Sequence, residues 1–126
     1  MPQEKIIVFG CSGLVGEEFK RHSGNKNLLT TSHNEVDIKD SEKIRRFLDK
    51  NRALVVINFV GFTNLVEAEK ERGDKKGQAW QVNVTTAQNI AETCHKEGRF
   101  LIHISTDAVF PGTKDFAGPY SENMEP

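Results

Sequence analysis

The chain has 126 residues, enough for one domain with one core and too few for a nucleotide domain plus a full substrate domain. Its 17 basic and 18 acidic residues are intermixed along the sequence, which argues against a nucleic-acid groove or an anionic membrane as partner. No apolar run approaches the roughly 20 residues needed to span a bilayer, no secretion signal opens the chain, and Cys11 and Cys94 lack metal-ligand spacing, so a cytoplasmic protein with free thiols and no metal is expected.

Lys5-Ile6-Ile7-Val8-Phe9 is an apolar run ending at a glycine turn, the pattern of a strand buried on both faces of a parallel sheet. Leu14, Val15, Glu18 and Phe19 begin a helix that Ser23-Gly24-Asn25 should stop. Leu28 to Thr31 predicts a weaker second strand. Asp40 or Ser41 then offers a cap for a helix with Ile44, Phe47 and Leu48 on one face. Ala53 to Val60 is the clearest buried strand, and the charged stretch from Glu67 to Lys76 reads as a solvated loop and helix start. Ala79, Val82, Thr86, Ala87, Ile90, Ala91 and Cys94 recur at helical spacing up to Gly98, and Phe100 to Ser105 forms a fourth strand.

This alternation predicts an α/β fold, a Rossmann-type doubly wound parallel sheet of about four strands in the order 3-2-1-4. Residues 1–110 form the dinucleotide-binding domain, and residues 111–126, rich in Gly, Pro and Ser, form a loop tail with no substrate domain after it. On this reading the fourth strand has an exposed edge and one uncovered face, so the sequence looks like the front half of something. Pairing of two such edges in a homodimer is one way to cover them.

The chemistry starts at Gly10-Cys11-Ser12-Gly13-Leu14-Val15-Gly16. A pyrophosphate needs a turn free of intruding side chains and a helix whose N–H groups point at it. The spacing G-x-x-G-x-x-G has one residue more than the usual G-x-G-x-x-G, but it follows a strand and opens a helix, as a cofactor loop must. Gly10, Ser12, Gly13, Leu14, Val15 and Gly16 are therefore candidate cofactor contacts. The residue that reads the adenosine ribose should lie about 20 residues further on. Thr30, Thr31, Ser32 and His33 stand there, with no carboxylate before Glu35 and Asp37. The absence of an acid beside His33, which can carry positive charge, leaves room for the 2′-phosphate of NADP, so NADP is slightly preferred to NAD. Asp37 could accept from the adenine amino group with Ile38 packed on the ring, or be an ordinary loop residue. Cys11 reads as a small filler more readily than as a redox sensor, and His103 as a packed or edge histidine.

With Val56 to Thr63, Val82-Asn83-Val84 and Ser105-Thr106-Asp107-Ala108-Val109-Phe110-Pro111-Gly112, the order of motifs resembles the extended short-chain dehydrogenase/reductases. Within them it is most similar to the dTDP-4-dehydrorhamnose reductase group, whose Ser-Thr-Asp-x-Val-Phe-x-Gly and Pro-Tyr-x-Glu segments are echoed at residues 105–112 and at Pro119-Tyr120-Ser121-Glu122. The resemblance implies hydride transfer from NAD(P)H to the 4-keto carbon of a nucleotide sugar. It makes Thr106 the catalytic threonine and Asp107, with Thr106, a substrate contact. It also places Gly61, Phe62 and Thr63, and Ile104 and Ser105, along the cofactor, and leaves Asn83 to tie backbone together.

The family's proton donor is a Tyr-x-x-x-Lys pair. The only tyrosine here is Tyr120, with Met124 four positions later, so the chain is expected to be inactive alone. Ala108 also replaces a tyrosine usual in that segment, and Asn58-Phe59-Val60-Gly61 is bulkier than the family's alanine-rich turn. A non-catalytic NAD(P)-binding regulatory or interaction protein is the second reading that these departures support.

Overall fold

A computed structural model describes residues 4–24, 27–32 and 35–125. Strand β1 (Lys5–Phe9) leads through the glycine turn to helix α1 (Leu14–Ser23), which ends at Gly24 in the left-handed conformation, φ +56°. Strand β2 (Leu28–Thr30), helix α2 (Ser41–Lys50) and strand β3 (Ala53–Asn58) follow. Asp40 caps α2 by accepting from the amides of Glu42 and Lys43, satisfying two N–H groups that no helix carbonyl can reach. The front of the charged stretch is helical: α3 (Leu65–Lys70) is capped by Asn64 and laced by the Lys70–Glu67 ion pair at 2.7 Å. Helix α4 (Gln78–Trp80) runs through a π turn at Gln81–Thr85 into α5 (Thr86–Lys96), and β4 (Phe100–His103) closes the sheet.

The sheet is parallel throughout and the fold class is the doubly wound α/β type expected from sequence, but the strands run β2-β1-β3-β4, not 3-2-1-4. The expected order kept β2 beside β3. Instead β3 pairs directly with β1, Ile7 opposite Val56 and Val8 opposite Ile57. Burial explains the difference. The apolar run at Ala53–Asn58 can be buried on both faces and takes a central place, whereas the three half-buried residues of β2 suit an edge. The chain reverses its winding direction after β2, so right-handed crossovers place α1 on one face and α2 with α5 on the other.

The larger core lies between the sheet and α2 with α5, where Ile7, Phe9 and Val56 meet Ile44, Leu48, Ile90 and Cys94. On the opposite face Val8, Cys11 and Ile57 pack with Phe19 and Phe59. Beyond α1 that face is open: Phe100 and Ile102 of β4 are 67% and 40% exposed.

At the lower end of the sheet, Arg99 is almost wholly buried. Its guanidinium donates to the carbonyls of Leu48 (2.6 Å), Asn51 (3.2 Å) and Ala53 (2.6 Å) and pairs with Glu97 at 2.6 Å. One side chain thereby joins the C terminus of α2, the start of β3 and the approach to β4.

Burial pushes the Cys94 thiol up to about 11, with Arg99 opposing and Glu97 adding to the shift. In the unfolded chain a cysteine ionises near about 8.5, so the unfolded state loses its proton first as pH rises. Stability is therefore full below that pH and falls on the order of 3 kcal/mol by about pH 11. Cys11 is shifted in the same direction, burial outweighing Lys20. Urea titrations at pH 8 and at pH 10.5 should show this loss, and Cys94→Ala should flatten it; an unchanged slope would assign the loss to other groups.

Candidate functional site

The reversal of winding between β1 and β3 leaves a crevice at their carboxyl ends, where open α/β sheets take ligands. The glycine turn enters it from β1 and the segment after Asn58 enters it from β3. They approach so closely that a Cβ on Gly10, whose φ is +83°, would lie 2.7 Å from the Val60 amide nitrogen. Gly16 is tighter still: a Cβ there would stand 2.2 Å from the Gly10 carbonyl oxygen. The turn is thus closed on itself, with the Gly13 amide bonded to the Gly10 carbonyl at 3.2 Å.

Gly13 forms the N-cap of α1 and no side chain caps that end. Leu14 and Val15 are exposed there, and the first-turn amides, beyond the reach of helix carbonyls, carry the partial positive charge of the helix N terminus. A cleft beside the turn is lined by Phe9, Gly10, Ser12, Thr31, Ser32, Val36, Ile38 and Val60. It brings together Gly10, Ser12 and Ile38 from the sequence-based site and adds Val36 and Val60, whose apolar side chains gave no signal apart from core residues.

Asp37 adjoins this cleft, with its carboxylate accepting from the Lys39 amide at 3.1 Å and lying 3.7 Å from the Lys43 ammonium. The predicted contact at His33 lies outside the described residues. Just beyond the end of β2, the Glu35 carboxylate accepts from the Ser32 amide at 2.7 Å.

On the β3 side, Asn58 is buried and uses both ends of its amide. Its Oδ1 accepts from the Val60 amide at 3.0 Å, and Nδ2 lies 3.1 Å from His103 Nδ1. Because Oδ1 is committed to an N–H, Nδ2 donates and His103 Nδ1 accepts, which fixes the histidine as the Nε2–H tautomer. An asparagine ending an otherwise apolar strand was the available signal for this link.

Gly61, Phe62 and Thr63 follow Val60. Asn83, inside the π turn, accepts from the Phe62 amide at 2.7 Å and donates to the Phe62 carbonyl at 3.1 Å. Its role is to hold backbone, as the motif implied.

Beyond β4, the Ile104 amide bonds to the Asn58 carbonyl at 3.1 Å, extending the ladder up to Ser105 and Thr106. Thr106 Oγ accepts from the Ala108 amide at 3.1 Å and caps a short 3-10 turn, Asp107–Val109. The hydroxyl proton is not used by that bond. Asp107 is exposed beside it. Tyr120 stacks on Phe110 with ring centroids 4.6 Å apart. Its hydroxyl accepts from the Gly112 amide at 3.0 Å and donates to the Phe116 carbonyl, so it is occupied in shaping the tail.

Cys11 sits in the core under the turn, and its raised pKa makes it a poor thiolate, in keeping with a filler. Among the described residues no helix is long and apolar enough to cross a membrane.

Comparison with known proteins agrees with this geometry. The chain is 33% identical to a dTDP-4-dehydrorhamnose reductase of Mycolicibacterium smegmatis over 124 residues, 97% of this chain and 36% of that protein. To the Streptomyces griseus reductase it is 31% identical, again over 97% of this chain and 39% of the relative. It therefore spans well under half the length of these relatives. The crystal structure of the Bacillus anthracis dTDP-4-dehydrorhamnose reductase in complex with NADP superposes with a TM-score of 0.80 at 25% identity, covering 90% of this chain and 40% of that one. The Clostridium acetobutylicum reductase gives 0.81 at 28% identity, covering 96% and 42%. A family profile described as the RmlD substrate binding domain matches residues 4–126. By that match across nearly all its length, and by its likeness to these reductases, the chain belongs to the RmlD, or dTDP-4-dehydrorhamnose reductase, family.

Proposed function

We propose that this chain is the cofactor-binding portion of an NAD(P)-dependent sugar-nucleotide reductase of the dTDP-4-dehydrorhamnose type. The observation that supports the reading is an uncapped helix N terminus behind a glycine turn without room for side chains, set against Val60 at the switch point, with the Ile104 amide bonded to Asn58 at the next strand end. Ser12, Gly13 and the amides of Leu14, Val15 and Gly16 would hold the pyrophosphate. Ile38 would pack on the adenine with Asp37 at its edge, and Gly61, Phe62, Thr63, Ile104 and Ser105 would line the nicotinamide half. The cofactor supplies the hydride when bound. Thr106, its proton uncommitted, would donate to the substrate oxygen as negative charge develops there, and Asp107 would contact the sugar.

The general acid is a separate matter. No Tyr-x-x-x-Lys occurs in these 126 residues, and the Tyr120 hydroxyl is engaged at both of its bonds, so the chain by itself binds cofactor without turning over. That engagement is also what favours the second reading, a non-catalytic NAD(P)-binding protein. The sequence around β2 leans to NADP over NAD. A cytoplasmic location suits two buried free thiols, and a homodimer would cover the open edge of β4.

Calorimetric titration of the chain with NADPH and NADH, followed by a spectrophotometric assay with a 4-keto sugar nucleotide, tests the proposal. The expected result is binding without oxidation of the reduced cofactor. Failure to bind either cofactor at millimolar concentration would remove the reading, and rapid oxidation would remove the assignment of inactivity.

A further inference from the structure

Asn58 and His103 belong to a chain of contacts that ends in the cleft. Asn58 is 1% exposed, so both ends of its amide need partners inside the protein. Its Oδ1 accepts from the Val60 amide at 3.0 Å, and its Nδ2 donates to His103 Nδ1 at 3.1 Å. The Val60 nitrogen held in this way is the atom that stands against Gly10, 2.7 Å from where a Cβ would lie there, and Val60 lines the cleft with Gly10 and Ser12. At the other end of the chain His103 is exposed, set opposite Asn58 by the register of β3 with β4. Solvent thus reaches the titratable end of a link whose far end is a wall of the cleft. No charged group pairs with the ring among the described residues, where the only histidine in an ion pair is His22. From β3 the ring meets the uncharged Asn58, and the buried residues of α5 are Thr86, Ile90, Thr93 and Cys94, the last a thiol pushed up to about 11 by burial. The charged side chains of α5, Glu92, His95 and Lys96, are exposed, as is Asp107, the first charge beyond β4. Arg99, just before β4, is committed at the lower end of the sheet.

We propose that the Asn58–His103 pair is an acid-sensitive latch on the cofactor cleft: the neutral imidazole, accepting at Nδ1, holds the Asn58 amide in the orientation that fixes Val60, and protonation of the ring releases it. The proposal rests on the reading of the crevice as a dinucleotide site. Both residues act through Val60 and are positioning residues. Histidine gains its charge between about pH 8 and pH 5, and a proton on Nδ1 turns the acceptor into a donor that faces a donor. The exposed ring can then turn to water, but Asn58 Nδ2 is left buried without an acceptor, the costly half of a broken hydrogen bond. Turning the amide over presents Oδ1 to the imidazolium and withdraws it from the Val60 amide. One of the two bonds is lost in either arrangement, so the strand end facing Gly10 loosens in acid and cofactor affinity falls with it.

Calorimetric titration of the full chain with NADP+ at pH 7.5 and pH 5.5, in wild type and His103→Asn, tests the latch. The new asparagine Oδ1 takes the place of Nδ1 as acceptor for Asn58 and gains no proton in this range. His22, His33, His95 and the 2′-phosphate of the cofactor are present in both titrations, so their share of the pH dependence cancels in the comparison. Between the two pH values the wild type should lose about three- to tenfold more affinity than His103→Asn, the size of one net hydrogen bond. Asn58→Asp should reverse the sign of the wild-type effect, because its carboxylate still accepts from Val60 and gains an imidazolium partner in acid. Nitrogen NMR at pH 7.5 should find the His103 proton on Nε2. The Val60 amide shift should follow the His103 titration in wild type and stay level in His103→Asn. Equal losses of affinity in wild type and His103→Asn, or a proton on Nδ1 at pH 7.5, overturns the proposal and leaves the cofactor site intact. Absence of NADP+ binding at pH 7.5 removes the dinucleotide reading instead. The Val60 amide then decides the latch alone, and a shift indifferent to His103 overturns it.

Discussion

Gly16→Ala should abolish cofactor binding and destabilise the fold by about 3 kcal/mol or more, because the added methyl meets backbone that cannot yield. Its Cβ would lie 2.2 Å from the Gly10 carbonyl oxygen and 2.9 Å from Cys11 Cα. Gly10 is itself pinned against Val60 and Phe59 of the neighbouring strand end, so relief would require the turn to leave the sheet. Gly13→Ala is the instructive contrast. The nearest neighbour of a Cβ at that position is the Gly10 carbonyl at 3.5 Å, an ordinary contact. That variant should fold with little change in urea midpoint, yet lose roughly tenfold or more in NAD(P)H affinity where its methyl obstructs approach to the helix N terminus. Unchanged affinity in folded Gly13→Ala would move the pyrophosphate away from this position. A stable Gly16→Ala protein would show that the turn is looser than its geometry states.

Arg99→Ala should cost about 3 to 5 kcal/mol, the range for removing one partner of a buried ion pair. Three carbonyls, of Leu48, Asn51 and Ala53, lose their donor together, and Glu97 is left charged at the C terminus of α5, where the helix dipole opposes it. Glu97 is already under-served, since its Oε1 is buried without a hydrogen-bond partner among the described residues. Adding Glu97→Gln to Arg99→Ala should therefore recover part of the loss by removing the unpaired charge. Urea unfolding of the two single variants and the double variant measures this coupling. Additive effects would mean that Glu97 contributes nothing to what Arg99 stabilises. A domain of this size has only about 5 to 15 kcal/mol in reserve, so the single change could leave a large unfolded fraction at physiological temperature.

The glycine turn, the four strands and the apolar faces of α2 and α5 were legible in the residues because each rests on a local pattern. Glycine spacing after a strand, continuous apolar runs and helical periodicity are properties of neighbours along the chain. The cap of α2 was legible, for the same reason, as Asp40 or Ser41, of which the structure uses Asp40, and the Ser105 to Gly112 segment announced the family before any geometry was known. Strand order was not local. Which neighbour β1 takes depends on the relative burial of β2 and β3, and the longer apolar strand won the central position.

The site divides in the same way. Gly10, Ser12 and Ile38 were named from sequence and meet in one cleft, whereas Val60 joins them only because β3 lies beside β1. Asn58 and His103, 45 residues apart, are linked because β3 pairs with β4 in that register. Glu35, which counting residues places beyond the strand end, bonds through its carboxylate to the Ser32 amide. Sequence by itself determined the elements, the glycine turn and the family, since these are written in short-range spacing. Only the tertiary structure decided which strand ends share the crevice, because pairing and chain reversal are set by the burial of residues far apart in sequence.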